Sequence, residues 1–268
     1  MARGSLAIST VLSTVILTSV LLVVVITASF LANNVVNSQI ENAQFDQAKN
    51  VVLALDGVVK KVMFKPHSSG YVRTSFWTTI PRLEETGENL TVLVDGNPWR
   101  EIPINTVKIQ GGSGVTRPVT QDLMGVNGSI LLTSISDSLG LVHVYYSGAS
   151  WVSLDYARVR CVYSGTVEFF NGTGLEPYNL VEITAVRVTF GPSQVQEKAS
   201  FIVQNIGTGP EQLEIPGSPD NPNNFTIRVQ NHEMNETRCL TDLGGDPSHP
   251  TLINFLVVGI EVSILGGA

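Results

Sequence analysis

Between Ser5 and Ile40 the sequence contains no Asp, Glu, Lys or Arg, and no proline occurs before Pro66. A stretch without charge for that length has no means of staying soluble on its own, and a stretch without proline has nothing to interrupt a helix. Cysteine is also scarce. Cys161 and Cys239 are the only two, and neither sits in a Cys-x-x-Cys or other metal-ligand spacing, so a zinc ribbon or thioredoxin-type redox site is excluded. The four histidines, His67, His143, His232 and His249, are scattered, and no pair has the i,i+4 spacing of a helical zinc protease motif. Positive charge is short as well. The chain has a net charge of −7, and all of its excess acid lies beyond residue 65, which argues against nucleic acid as a partner.

Other motifs fail on their surroundings. Gly111-Gly112-Ser113-Gly114 lacks a following Lys-Ser/Thr and a helical pattern, so it is not read as a phosphate cradle. Asp242-Leu-Gly-Gly-Asp246 lacks the alternating oxygen ligands of a calcium loop and reads as a turn. No Ser or Cys has a base partner suggested by spacing. The expectation is a protein without catalytic residues, metal or cofactor.

What the chain does have begins at its N-terminus. Leu6 to Leu31 exceeds the roughly 20 apolar residues needed to cross a bilayer, with only Ser and Thr as polar interruptions. Arg3 precedes the run, while Lys49, Lys60, Lys61 and Lys65 lie well beyond it among Glu41, Asp46 and Asp56. That distribution places the N-terminus in the cytoplasm and the rest of the chain outside. Apolar residues then recur at Val36, Ile40, Ala43, Ala48, Val51, Leu55, Val58 and Val62, which predicts that the helix continues as an amphipathic one over 33–65. Asp56 and Lys60 form an acid-first i,i+4 pair off that stripe. A helix from Ser5 to Val62 would be about 87 Å long, far more than a monomeric anchor needs. Ser5, Ser9 and Ser13, and likewise Thr10, Thr14 and Thr18, recur every four residues. They supply either a helix-packing face or hydroxyls bonded to their own i−4 carbonyls.

Arg3-Gly4 followed at once by Ser5-Leu6-Ala7-Ile8-Ser9-Thr10-Val11 resembles the class III signal of archaeal type IV pilins and flagellins. In that family a processing enzyme of the prepilin peptidase type cuts after the Gly and leaves the hydrophobic helix on the mature protein. The resemblance implies a leader of residues 1–4 and a cut between Gly4 and Ser5. Ser9, the fifth residue of such a mature chain, is not the Glu usual in bacterial pilins, which favours the archaeal branch. The phrase Phe201-Ile-Val-Gln-Asn-Ile-Gly-Thr-Gly-Pro210 also resembles a strand and turn common in the globular parts of these proteins.

From Pro66 the composition changes to Gly, Pro, Asn, Thr and Val in short alternating runs. Strands are predicted at Leu141–Tyr146, Tyr156–Val162, Val181–Phe190, Ala199–Asn205, Phe225–Val229 and Leu252–Leu265, the last as a buried terminal strand. Turns are predicted at Asp95-Gly96, Asn127-Gly128, Asn171-Gly172 and Asn205–Pro210. The fold class is therefore α+β: a long N-terminal hydrophobic helix over 5–65, with 5–32 as the membrane or filament-core half, followed by an antiparallel β-sandwich body over 66–268. The body is long enough for two β-units, with 147–150 as the place to divide them.

Outside the cell, a lone cysteine pair reads as a disulfide between Cys161 and Cys239. The sequons at Asn89, Asn127, Asn171, Asn224 and Asn235 lie beside turn signals on the side predicted to be external, and most are expected to carry N-glycans. These features together predict a structural subunit of an archaeal type IV pilus-like surface filament. It would wait in the membrane, assemble with copies of itself through the helix and serve adhesion or cell contact. An uncleaved single-pass surface binding protein, or a minor pilin, are the alternatives.

Overall fold

The computed structural model describes residues 4–75, 78–170, 172, 174–196 and 198–266, with side chains described from Leu12 onward. Arg3 and Asn171 lie outside the described residues, as do the side chains of Ser5, Ser9 and Thr10. The chain forms one long N-terminal helix, α1 (Gly4–Val62, 59 residues), followed by a β-rich body.

The described residues of the body form thirteen strands. They are β1 (Ser69–Ser75), β2 (Ile80–Val94), β3 (Asn97–Gln110), β4 (Gln121–Met124), β5 (Leu131–Leu132), β6 (Leu141–Tyr146) and β7 (Ser150–Asp155), then β8 (Val159–Phe170), β9 (Leu175–Ser193), β10 (Lys198–Ile215), β11 (Thr226–Gln230), β12 (Asn235–Cys239) and β13 (Thr251–Gly266). A short helix, α2 (Leu240–Leu243), separates the last two. One sheet has the order β1-β10-β13-β9-β8-β5 and the other β12-β11-β2-β3-β7-β6-β4.

Two hydrophobic clusters fill the body, and α1 decides which is which. In the first, Phe45, Ala48, Val52, Leu55, Val59 and Val62 of α1 meet Ile109 of β3, Val142 and Val144 of β6, Val152 and Leu154 of β7, Phe201 of β10 and Ile260 of β13. Those helical positions are spaced 3, 4, 3, 4 and 3 apart, one stripe of an α-helix. α1 takes no part in the second cluster, where Leu90, Val92, Ile227 and Val229 of one sheet pack with Cys161, Val181, Ile183, Ile253 and Phe255 of the other and with Leu240 of α2. The second half of α1 is therefore a core element of the body.

Several expectations change here. The expected stripe is buried at Ala48, Val51, Leu55 and Val62, and it widens to take in Phe45, Val52 and Val59. Val52 and Val59 are fully enclosed, whereas Val36 and Ile40 are about half exposed. Asp56, expected on the outer face, is buried. The sheets are mostly but not wholly antiparallel, since β13 runs parallel to β9 from Thr251↔Asn179 onward and β5 runs parallel to β8. A buried strand flanked on both sides shows the near-continuous apolar run of Ile253 to Ile264. Asn205–Pro210 is not a turn, because β10 continues through it with a bulge between Asn205 and Gly207, where Gly207 adopts φ 131°. Ser147–Ala149 is the tight turn of the β6–β7 hairpin inside one sheet.

The disulfide is not formed: Cys161 and Cys239 are free thiols. Cys161 on β8 points into the second cluster, where burial pushes its thiol up to about 12. At the other position the chain turns Leu240 into that core and leaves Cys239 facing outward, its Sγ 3.1 Å from Thr241 Oγ1. The Asp95-Gly96 turn is as expected, with both residues at positive φ (49° and 78°) closing the β2–β3 hairpin.

Candidate functional site: the helix and its seat in the body

Every side chain from Leu12 to Asn37 is exposed. The apolar window within this stretch has a mean hydropathy of 2.7 and none of it is buried, so by length and composition the segment can cross a membrane. At Ser38 the surroundings change. The Ser38 hydroxyl donates to Gly114 O at 2.9 Å, the Gly114 N–H donates to a Glu41 carboxylate oxygen at 2.5 Å, and the Thr116 N–H donates to Asn42 Oδ1 at 2.9 Å. On another side, Gln44 Oε1 accepts both the N–H and the hydroxyl of Thr78, at 2.8 and 2.6 Å. These contacts form a polar collar around α1 where it leaves the body.

The collar explains the Gly-rich run. A Cβ on Gly112 would lie 2.4 Å from the Glu41 carboxylate, and one on Gly111 would lie 2.9 Å from the Phe45 ring. The glycines let the loop backbone close over the helix, so the run is a clasp for a carboxylate within its own chain.

Farther down, Asp56 is enclosed but fully partnered. Tyr156 Oη donates to Asp56 Oδ1 at 2.9 Å, and Lys60 Nζ lies 2.7 Å from Oδ2. Gly140 stands so close that a Cβ there would be 2.2 Å from Oδ1. Burial, then the neighbouring Asp56 charge, pushes the Tyr156 phenol well above its ordinary value, so Tyr156 stays a donor. At the end of α1 the fully buried Asn205 donates from Nδ2 to the carbonyls of Val62 and Met63, both at 2.9 Å. Its own Oδ1 accepts from the Gly207 N–H at 2.9 Å. Asn205 thus ties β10 to the C-terminal end of α1, where the Val62 carbonyl also accepts the Lys65 N–H at 3.0 Å.

The predicted site residues distribute as follows. Gly4 and Ser5 fall within α1. The Thr18 hydroxyl donates to its own helix, at Thr14 O (2.9 Å) and Val15 O (3.0 Å), as Ser19 and Thr27 do to the carbonyls four residues back. Ser13 and Thr14 are exposed. Of the sequons, Asn89, Asn127, Asn224 and Asn235 are exposed. Asn224 is already occupied, accepting the Thr241 N–H at 3.0 Å and donating to the Thr241 hydroxyl at 3.1 Å.

Among the described residues no group of three His, Cys, Asp or Glu is arranged to hold a metal. His143 pairs with Asp122 (Nδ1 to Oδ1, 2.6 Å) and stacks on Tyr145. Asp242 and Asp246 serve their turn: Asp242 accepts the Cys239 N–H and Asp246 the Ser248 N–H. Glu41, Gln44 and Asn205 were missed at the sequence level; only a polar residue beside apolar helix positions could have flagged the first two, and a lone Asn in the apolar run of β10 the third. No family model matches the chain, and neither a curated protein nor a solved structure shows significant similarity to it.

Proposed function

We propose that the protein is a structural subunit of a type IV pilus-like surface filament. It is held in the membrane by the first half of α1, then assembled with other copies through that same half. The observation that carries this reading is the division of one continuous helix. Gly4–Asn37 stands outside the body for about 51 Å, while the rest is a core element pinned at both ends by the collar and by Asn205. A simple anchor has no need of a helix that is rigidly continued into the body's own core. An assembly stalk does, because force and register pass along it. The two sheets packed around and below the helix are read as the sandwich body that forms the outer layer, with the exposed sequons on it, and adhesion or cell contact as its role.

The resemblance at Arg3-Gly4-Ser5 implies where the mature chain begins. Intact-mass and N-terminal peptide measurement of the protein from its native cell surface is expected to find Ser5 as the first residue. An intact start at Met1 or Ala2 would support a permanent single-pass anchor in its place.

A further inference from the structure

The side of the body that faces the emerging helix carries two arginines laid on aromatic rings. Arg82 lies over the Trp151 ring at 5.3 Å and Arg117 over the Tyr146 ring at 4.5 Å. Neither arginine is within ion-pair distance of a carboxylate among the described residues, although the body as a whole is strongly acidic. Nearby carboxylates are occupied: Glu41 by the Gly114 N–H, Asp46 by Lys49 and Glu84 by Lys108. Beside these pairs stand large apolar side chains open to solvent, Ile80 at 50%, Val119 at 81% and Tyr146 at 41% exposed.

Register places them together at the collar. Ile80 pairs with Gln110, Gln110 with Trp151, and Tyr146 with Ser150; Arg117 follows Thr116, which is bonded to Asn42 of the helix. Cationic side chains beside aromatic and exposed apolar ones are the composition of a membrane–water interface. We infer that this side of the body leans on anionic lipid headgroups while α1 is in the membrane.

The distances allow it. Ser38, where the collar begins, is seven residues past Leu31, about 10 Å along the helix. Each interfacial layer is about 5–7 Å thick, and a typical transmembrane tilt of about 20° lowers one side of the body toward it. An arginine held there is within roughly one Debye length of lipid phosphates. The lean rests on the membrane half of the reading proposed above and adds to it an orientation of the body before assembly.

The test uses the full chain in vesicles of phosphatidylcholine, alone or with one quarter phosphatidylglycerol, and a headgroup-attached nickel chelate that relaxes nearby nitroxides. Single nitroxides are placed by Val119→Cys, by Asp220→Cys in the exposed loop between β10 and β11, and by Val24→Cys, all in a Cys239→Ser background; buried Cys161 is left unlabelled. Relaxation at 119 is expected to exceed that at 220, to rise with anionic lipid and to fall in high salt. Arg82→Gln with Arg117→Gln is expected to lower the ratio of leaning to free bodies by about 25-fold, at about fivefold per cation. The salt titration of the unsubstituted arginines carries the same information should the double variant fold poorly. Equal relaxation at 119 and 220 with the label at 24 buried in lipid would overturn the lean while leaving the membrane reading intact. A signal at 119 that follows protein density rather than lipid charge would overturn it in favour of a second copy. A label at 24 exposed to water would remove the lean together with the reading beneath it.

Discussion

Single buried polar residues hold α1 in place, and Asp56 is the most exposed to test. Its two oxygens are committed to Tyr156 and Lys60 in a space that Gly140 leaves just large enough. Asp56→Ala would leave a buried phenol without a partner, whereas Lys60, about two-fifths exposed, can return to water. The expected loss is about 2 kcal/mol, with Asp56→Asn, which keeps an acceptor, losing about half as much. Chemical unfolding of the full chain in detergent, followed by tryptophan fluorescence, measures both. The Asp122–His143 pair gives a pH signature. Burial works upward on the Asp122 carboxyl, but the Asn127 N–H and His143 outweigh it and hold it below its ordinary value of 3.8. A depressed carboxyl contributes stability that is present above the unfolded value and lost as pH falls through the folded one. The midpoint of unfolding should therefore drop below about pH 4 in the parent, and drop less steeply in Asp122→Asn. An equal decline in both would remove the pair as a cause.

At the scale of elements, α1 was legible because an absence announces it: no charge to Ile40 and no proline to Pro66 leave little else for the chain to do. The stripe at Ala48, Val51, Leu55 and Val62 was legible too, but its width and its start were not, since only the body adds Phe45, Val52 and Val59 to it and leaves Val36 and Ile40 half exposed. The parallel partnership of β13 with β9 was hidden for a different reason. Its register joins residues some seventy positions apart, and an apolar run states burial without naming a neighbour. The same distance conceals the collar and the Asn205 cap, whose partners lie 73 and 143 residues away. Gly57 offers a test of the helix itself. It lies inside α1 with nothing within 4 Å of where a Cβ would sit. Gly57→Ala should therefore stabilise the helix by about 0.5–1 kcal/mol. A loss of stability in the same unfolding experiment would mean that helix flexibility at this point is needed by the body.

Across the whole molecule, one helix serves two environments without a break. Its C-terminal half lays one face against both sheets, as Val52 and Leu55 with no exposed surface illustrate, and Leu12 to Asn37 is left uncovered. An uncovered apolar surface of that length must be covered by lipid or by other protein, and the proposed function is that it meets the two in sequence. Microscopy of filaments sheared from cells producing the native chain or Leu17→Lys tests this most directly. The native chain is predicted to form filaments. Leu17→Lys, which sets a charge in the middle of the exposed half and leaves the body untouched, should yield folded protein but no filaments. Filaments formed equally by both chains, or a native chain retained intact in the membrane with no filaments at all, would contradict the account.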